Sequence, residues 1–397
     1  MKVGVCIFDE PSLAKAGWAS IAGSNSKRIQ SVSELSSNVF WVTNIGYFDF
    51  KKLNLFQSSN IVEDQFFRVK LATLLYELQS SDDPRSGSEI ASKVLNRVHE
   101  IGKKTLGIEI TGSSYRYSSL IQNNCIDKLH SSKPSGSNPQ DISMAILQST
   151  QENQVMSSRL QPRGSRAFPF SFPRGSYAKY LLSLKYPSSN EWKTIVASDG
   201  KKVFGVQNGK SLKGSEDILS KLQNHEQNGR GLILRTAVQN MEKSHQSFAQ
   251  FGMGANKMIR NWATGPEIIE MARYSKVEVN GGYYTNLEEI DLPDEIKLLL
   301  GDQFSVSHGI FLENYWVAIS SAIYSKNQTN VCAIGAFMRA YDRIACGRAA
   351  EVFSRNNFVV GAYSLGRVLV FVRPGEEQTV KNIALELGLI PQPNIMR

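Results

Sequence analysis

Three prolines, Pro162, Pro169 and Pro173, stand within one short tract near the middle of the chain. Each lacks an amide proton and fixes φ, so the first part of the region from Ser157 to Lys213 cannot be a long helix. Further on, Thr194 to Val206, interrupted at Ser198-Asp199-Gly200-Lys201, predicts a hairpin. A loop-and-hairpin arm therefore separates the two halves of the chain. The same tract holds eleven Lys and Arg (Arg159, Arg163, Arg166, Arg174, Lys179, Lys185, Lys193, Lys201, Lys202, Lys210, Lys213) against Glu191 and Asp199. That local excess of nine equals the formal net charge of the whole chain, +9, so the excess is placed rather than spread. Phe168, Phe170, Phe172, Tyr177, Tyr180, Tyr186 and Trp192 add ring faces among the cations. Phosphate neutralisation beside stacking is what single-stranded nucleic acid requires. A basic, solvated loop is the competing reading.

With 397 residues, 41% of them hydrophobic, the chain can bury a sizeable core and has the length of two to three domains. No run approaches the roughly 18 to 20 apolar residues of a membrane span, and Met1–Phe8 is followed at once by Asp9 and Glu10. A soluble, intracellular protein is expected. The four cysteines, Cys6, Cys125, Cys332 and Cys346, are far apart without a CxxC, which suggests reduced thiols; Cys332 and Cys346 read as core residues.

Val3–Phe8 and Val39–Phe50 have strand composition, the second too apolar on both faces for clean alternation. Helical spacing recurs from Phe66 to Leu78 and from Ile90 to Val98, and a strand is expected near Thr105–Thr111. Asn138 reads as an N-cap with Pro139 opening the next helix. From about Ser215 the pattern predicts helices at Ile218–Leu222, Leu232–Phe251, Glu267–Tyr274, Asp294–Leu300, Phe311–Tyr324 and Val331–Phe353. Thr264 and Glu267 are spaced as a capping box. Phe358–Ala362 and Val368–Val372 read as a closing strand pair, and Gly388–Arg397 as a tail without a core of its own.

Enzymatic signatures are weak. Gly205-Val206-Gln207-Asn208-Gly209-Lys210-Ser211 falls one residue short of a phosphate-cradling loop, and Asn208-Gly209 is equally a turn signal. His99, His130, His225, His245 and His308 show no metal-ligand spacing, so no metal and no cofactor is expected. On the Val331–Phe353 helix Arg339 and Arg343 share a face that could grip phosphate. Internal pairing is the alternative.

The order Gly231-Leu232-Ile233-Leu234-Arg235-Thr236-Ala237-Val238, His245 to Gly252, Trp262, Phe304-Ser305-Val306-Ser307, Tyr315-Trp316 and the polar loop Lys326 to Asn330 resembles the nucleoproteins of rhabdovirus-like negative-strand RNA viruses. Among these, the coat proteins of plant varicosaviruses suit a chain of this length. The resemblance covers residues from about Arg230 to Glu351. It implies two largely helical lobes clamping single-stranded RNA in a basic cleft, arms that link protomers into a polymer, and RNA contacts from Arg235, Lys243, Lys326, Arg339 and Arg343.

The expectation is thus a mainly α, two-lobed protein with an RNA cleft between a mixed α/β N-terminal lobe and a helical C-terminal lobe. Its divisions are an arm or strand at 1–30, a lobe at 31–213, a helical lobe at 214–387 and a tail at 388–397. RNA would be held by Arg159, Arg163, Arg166, Arg174, Lys179, Lys185, Lys201 and Lys202 together with the five residues implied by the resemblance. The expected role is non-enzymatic encapsidation in a virion and in host cytoplasm. Partners would be single-stranded RNA, further copies of the chain, and a viral phosphoprotein and polymerase. A capsid or matrix protein assembling without RNA, and more remotely an NTP-using enzyme built on residues 205–211, are the alternatives.

Overall fold

The structure, a computed structural model, describes residues 1–397 except 59, 81, 111–115, 130–133, 137, 151–154, 157–160, 189, 196–201, 208–209, 212–215, 240–252, 255–256, 259–261, 274–275, 302, 322, 325–328, 331 and 393–397. The N-terminal residues build a sheet from β1 (Lys2–Glu10), β2 (Lys15–Ile21), β3 (Lys27–Ser31), β4 (Val39–Thr43) and β5 (Ile61–Val62), in the order β3-β2-β1-β4-β5. β1, β2 and β3 are antiparallel neighbours, whereas β4 runs parallel to both β1 and β5. Val3, Val5, Ile7, Phe40 and Val42 belong to one core cluster, and Cys6, Phe8, Val39 and Trp41 to another. A parallel strand buried on both faces has no polar side to show, which explains the missing alternation in Val39–Thr43. Gly4 is required beside Trp41, because a Cβ there would lie 2.6 Å from the indole ring.

Helix Pro84–Leu106 starts where the Asp83 carboxylate accepts hydrogen bonds from the amides of Arg85 and Ser86, at 3.0 and 3.2 Å. It ends at Gly107, whose φ of 67° is open to glycine without strain. This helix absorbs the start of the strand expected at Thr105–Thr111, and residues 107–110 are irregular.

The middle of the chain is organised by one 14-residue strand, Lys276–Glu289. Lys185–Pro187, Glu191–Ile195, Lys202–Gln207 and Arg230–Gln239 all pair antiparallel with it. Glu191–Ile195 and Lys202–Gln207 therefore do not pair with each other, and the expected hairpin is corrected. Arg230–Gln239 is a strand where the sequence predicts a helix from Leu232. Leu232 and Leu234 enter one core cluster and Ile233 another, so the unbroken apolar run fills both faces of a sheet.

A third sheet has the order Ile390–Pro391, Arg166–Ser171, Arg367–Val372, Val359–Ser364, Val155–Met156. The tail belongs to it: Leu389 is 1% exposed, Ile390 and Pro391 pair with Ser171 and Phe170, and the Gln392 amide donates to the Pro169 carbonyl at 2.8 Å. Residues 389–392 are thus not free to form the expected arm to a neighbouring copy, and the rest of that tail, 393–397, lies outside the described residues. Helices Val306–Ser320 and Ala333–Arg355 confirm the helical spacing of that region, and Thr264 and Glu267 meet as the capping spacing predicts, through a 3.4 Å bond from the Thr264 amide.

Two mixed sheets and one antiparallel sheet, with helices packed among them, overturn the expected mainly α fold. Among the described residues the core does not divide into two lobes. One core cluster runs from Val3 in the first sheet through Leu181 and Phe311 to Met338 in helix Ala333–Arg355. Among the described residues no helix is long and apolar enough to cross a membrane.

Candidate functional site

The cations singled out in the sequence divide by environment. Arg163, Arg166, Lys185 and Arg235 are solvent-exposed, Lys185 standing opposite Glu289 in the strand register. Arg166 pairs in register with Val372, so Arg163, Arg166 and Arg373 emerge near one end of the third sheet. Lys179 reaches the Gly301 carbonyl at 3.5 Å. Arg159, Lys201, Lys243 and Lys326 lie outside the described residues, as does the side chain of Lys202.

Arg339 and Arg343 turn inward. Arg343 is buried against Glu267, Nε to Oε1 at 2.8 Å, and also donates to the Ser149 and Thr150 carbonyls. Arg339 lies over the Trp316 ring at 5.7 Å and donates to the Ser320 carbonyl and Ser321 Oγ. A charge at 4% exposure survives burial because partners satisfy it, and such an arginine is not displayed for a polyanion.

A basic and aromatic face lies on the sheet built around Lys276–Glu289. Lys193 stands opposite Tyr284, and the Arg230 guanidinium sits over the Tyr284 ring at 5.3 Å. Arg230 also approaches His225 Nδ1 at 3.3 Å. Burial first and Arg230 second hold the His225 pKa below its ordinary value, so the ring is neutral at pH 7. Lys193 and Arg230 are exposed and Tyr284 is half-buried.

A small open pocket lies where strand Arg166–Ser171, the start of helix Arg174–Leu182, helix Val306–Ser320 and the turn at Leu365-Gly366 meet. The turn takes positive φ at both residues, 55° and 69°. The Asp342 carboxylate anchors it, accepting from the Leu365 and Gly366 amides at 2.6 and 2.7 Å and from the Tyr177 hydroxyl at 2.8 Å. On the pocket wall Glu313 receives Arg174 Nε at 2.7 Å and Arg367 Nη2 at 3.0 Å, while Arg174 also pairs with Glu77. Burial opposes ionisation of Glu313, but Arg367, Arg174 and Arg68 together hold its carboxyl below the usual range. Sequence reading missed Glu313, Asp342 and Arg367. The available signal was a charged residue inside an otherwise apolar helical run, which demands a buried partner.

Among the described residues no group of three or more His, Cys, Asp and Glu is placed to hold a metal ion. At the near-match to a phosphate loop, Val206 and Gln207 pair with Ser211 and Lys210 as adjacent strands, so no helix begins at Lys210.

No family model and no curated protein matches the chain. Among solved structures it is similar to Phi29 DNA polymerase complexed with single-stranded DNA, at 10% identity over 93% of this chain and 80% of the other, with a TM-score of 0.46. An orthorhombic crystal form of Phi29 DNA polymerase matches at 10% identity over the same shares, with a TM-score of 0.45. Its complex with primer-template DNA and incoming nucleotide substrates matches at 9%, again over the same shares, with a TM-score of 0.40. Likeness at this level assigns no activity. The resemblance read from Arg230 to Glu351 implied largely helical lobes, and the structure itself corrects it, because Arg230–Gln239 and Lys276–Glu289 are paired strands of one sheet. The roles hung on it, a non-enzymatic coat protein encapsidating viral RNA or a capsid or matrix protein, together with virion assembly, fall with it.

Proposed function

We propose that this chain binds single-stranded nucleic acid without reading its sequence. The observation that carries the proposal is the exposed face on which Lys193, Arg230 and the Tyr284 ring lie side by side. Cations there neutralise phosphates while the ring offers a surface to a base, and neither contact depends on base identity. Arg163 and Arg166, at one end of the third sheet, and Arg235, opposite Trp262, are further exposed cations, and none of them forms an ion pair with a described residue. Exposed arginines elsewhere, such as Arg28, Arg97 and Arg355, are paired with Asp9, Glu100 and Glu351. Within the central tract Arg163 and Arg166 thus face water without a counter-charge among the described residues, whereas Arg174 is held by Glu77 and Glu313.

The experiment is fluorescence anisotropy with labelled oligo(dT) and mixed-sequence single strands. Comparable affinities are expected for both. Replacing Lys193 and Arg230 together by Ala should weaken binding about tenfold, as expected for two lost phosphate contacts at moderate salt. Unchanged affinity in a folded double variant would remove this face from the interface.

A further inference from the structure

A titratable ring stands beside the face formed by Lys193, Arg230 and Tyr284. Helix Glu216–Gln227 ends just before strand Arg230–Gln239, and Gly229, with a φ of 68°, makes the turn between them. That turn sets His225, in the last turn of the helix, against Arg230, whose Nη1 lies 3.3 Å from His225 Nδ1. Tyr284 stands opposite both Lys193 and Leu232 in the strand register, and Arg230 precedes Leu232 by two residues, so Lys193, Tyr284 and Arg230 share one face of the sheet. The imidazole lies 6.2 Å from the Tyr284 ring, and the guanidinium covers that ring at 5.3 Å.

A guanidinium only donates hydrogen bonds, so His225 Nδ1 presents its lone pair to Arg230 and the neutral ring carries its proton on Nε2. The bond that parks Arg230 on Tyr284 therefore exists only while His225 is neutral. Protonation at Nδ1 turns the acceptor into a donor and sets two cations against each other. Arg230 is then free to swing toward a phosphate, the Tyr284 ring is uncovered for a base, and the imidazolium adds a cation to the face. After burial, Arg230 is the group that disfavours this proton in the free protein. Other charges around the helix are engaged elsewhere. Glu226, on the same helix, acts on Tyr341. On the adjoining helix Gly265–Ala272, Glu267 pairs with Arg343, and Glu270 with Arg273 and Arg348. The side chains of strand Lys202–Gln207, which also packs there, lie outside the described residues.

We propose that His225 is a positioning residue of this face and that its protonation and strand binding strengthen each other, a role that rests on the single-strand reading of the same face. A bound phosphate offsets the repulsion from Arg230, so His225 holds its proton more tightly in the complex than in the free protein. By linkage the strand then binds more tightly where the proton is present, and affinity rises as pH falls from neutrality.

The test is fluorescence anisotropy with oligo(dT), whose phosphodiesters and bases do not titrate between about pH 7.5 and about pH 5, comparing the full chain with His225→Gln. Gln keeps a side-chain oxygen that can accept from Arg230 but takes up no proton. One added phosphate contact predicts an affinity gain of about threefold for the parent across this range, and a log-log salt slope steeper by about 0.7 at the acid end. His225→Gln should lose both. In NMR the His225 imidazole should titrate at higher pH with oligo(dT) bound than without it. Equal gains in parent and variant, or an imidazole titration that the strand does not move, would overturn this role for His225 and leave strand binding standing. No binding of oligo(dT) by the parent at either pH would overturn the single-strand reading, and the role of His225 with it.

Discussion

Asp342 anchors the Leu365-Gly366 turn, and replacing it by Ala tests how the pocket is held. Its carboxylate is 1% exposed and accepts from the Leu365 amide, the Gly366 amide and the Tyr177 hydroxyl. Removing it strands these three donors, and the weaker Cys346 thiol donor at 3.6 Å, in a site that water reaches poorly. At roughly 1 to 3 kcal/mol for each donor left unsatisfied, and with partial relaxation of the turn, Asp342→Ala should cost about 3 to 6 kcal/mol. Asn at this position keeps one acceptor oxygen but turns an amide NH2 toward the donors, so about half that loss is expected. Tyr177→Phe removes one donor together with its bond and should cost about 1 kcal/mol. The assay is urea unfolding followed by tryptophan fluorescence, comparing midpoints at equal m. The order Asp342→Ala, then Asp342→Asn, then Tyr177→Phe is required. A cost below 1 kcal/mol for Asp342→Ala would show that Leu365 and Gly366 hold their left-handed turn without this anchor.

Two further outcomes follow from burial and from the tail. His99 is 3% exposed, its Nδ1 has no hydrogen-bond partner, and burial lowers its pKa to about 4. The unfolded chain binds that proton more readily, so stability conferred by neutral His99 is complete above about pH 6.5 and is lost toward pH 4, by up to about 1.4 kcal/mol per pH unit. The urea midpoint of His99→Gln should be flatter than that of the parent between pH 6.5 and 4.5, and parallel curves would contradict this. Leu389→Ala should destabilise the monomer by about 2 to 5 kcal/mol without changing its oligomeric state, read by unfolding and light scattering. A dissociated oligomer with unchanged unfolding would restore the arm to a neighbour.

Local signals were read well wherever one element could be recognised by itself. Asn138 and Pro139 marked a helix start that the structure places at Pro139, and the two closing strands at Val359–Ser364 and Arg367–Val372 followed from their apolar runs. Elements set by distant partners were not legible. The hairpin read from Thr194 to Val206 failed because both halves pair with Lys276–Glu289, more than seventy residues on. Gly231-Leu232-Ile233-Leu234 has no period, since burial on both faces erases it, and a buried strand then looks like a buried helix. The candidate sites show the same limit. The placed charge of the central tract was visible, but spacing alone could not show that Arg339 and Arg343 face Trp316 and Glu267 while Arg230 lies over Tyr284. Glu313 and Arg367 meet across 54 positions of sequence, and nothing local to either announces the pocket they share.

The salt dependence of single-strand binding tests the central claim most directly. If Arg163, Arg166, Lys193, Arg230 and Arg235 each neutralise one phosphate, the logarithm of the binding constant should fall with the logarithm of salt concentration at a slope of roughly −3.5, from about −0.7 per contact. The Lys193→Ala, Arg230→Ala double variant should flatten that slope by about 1.4. Absent binding at low salt, or a slope near zero with affinity intact, would contradict the account.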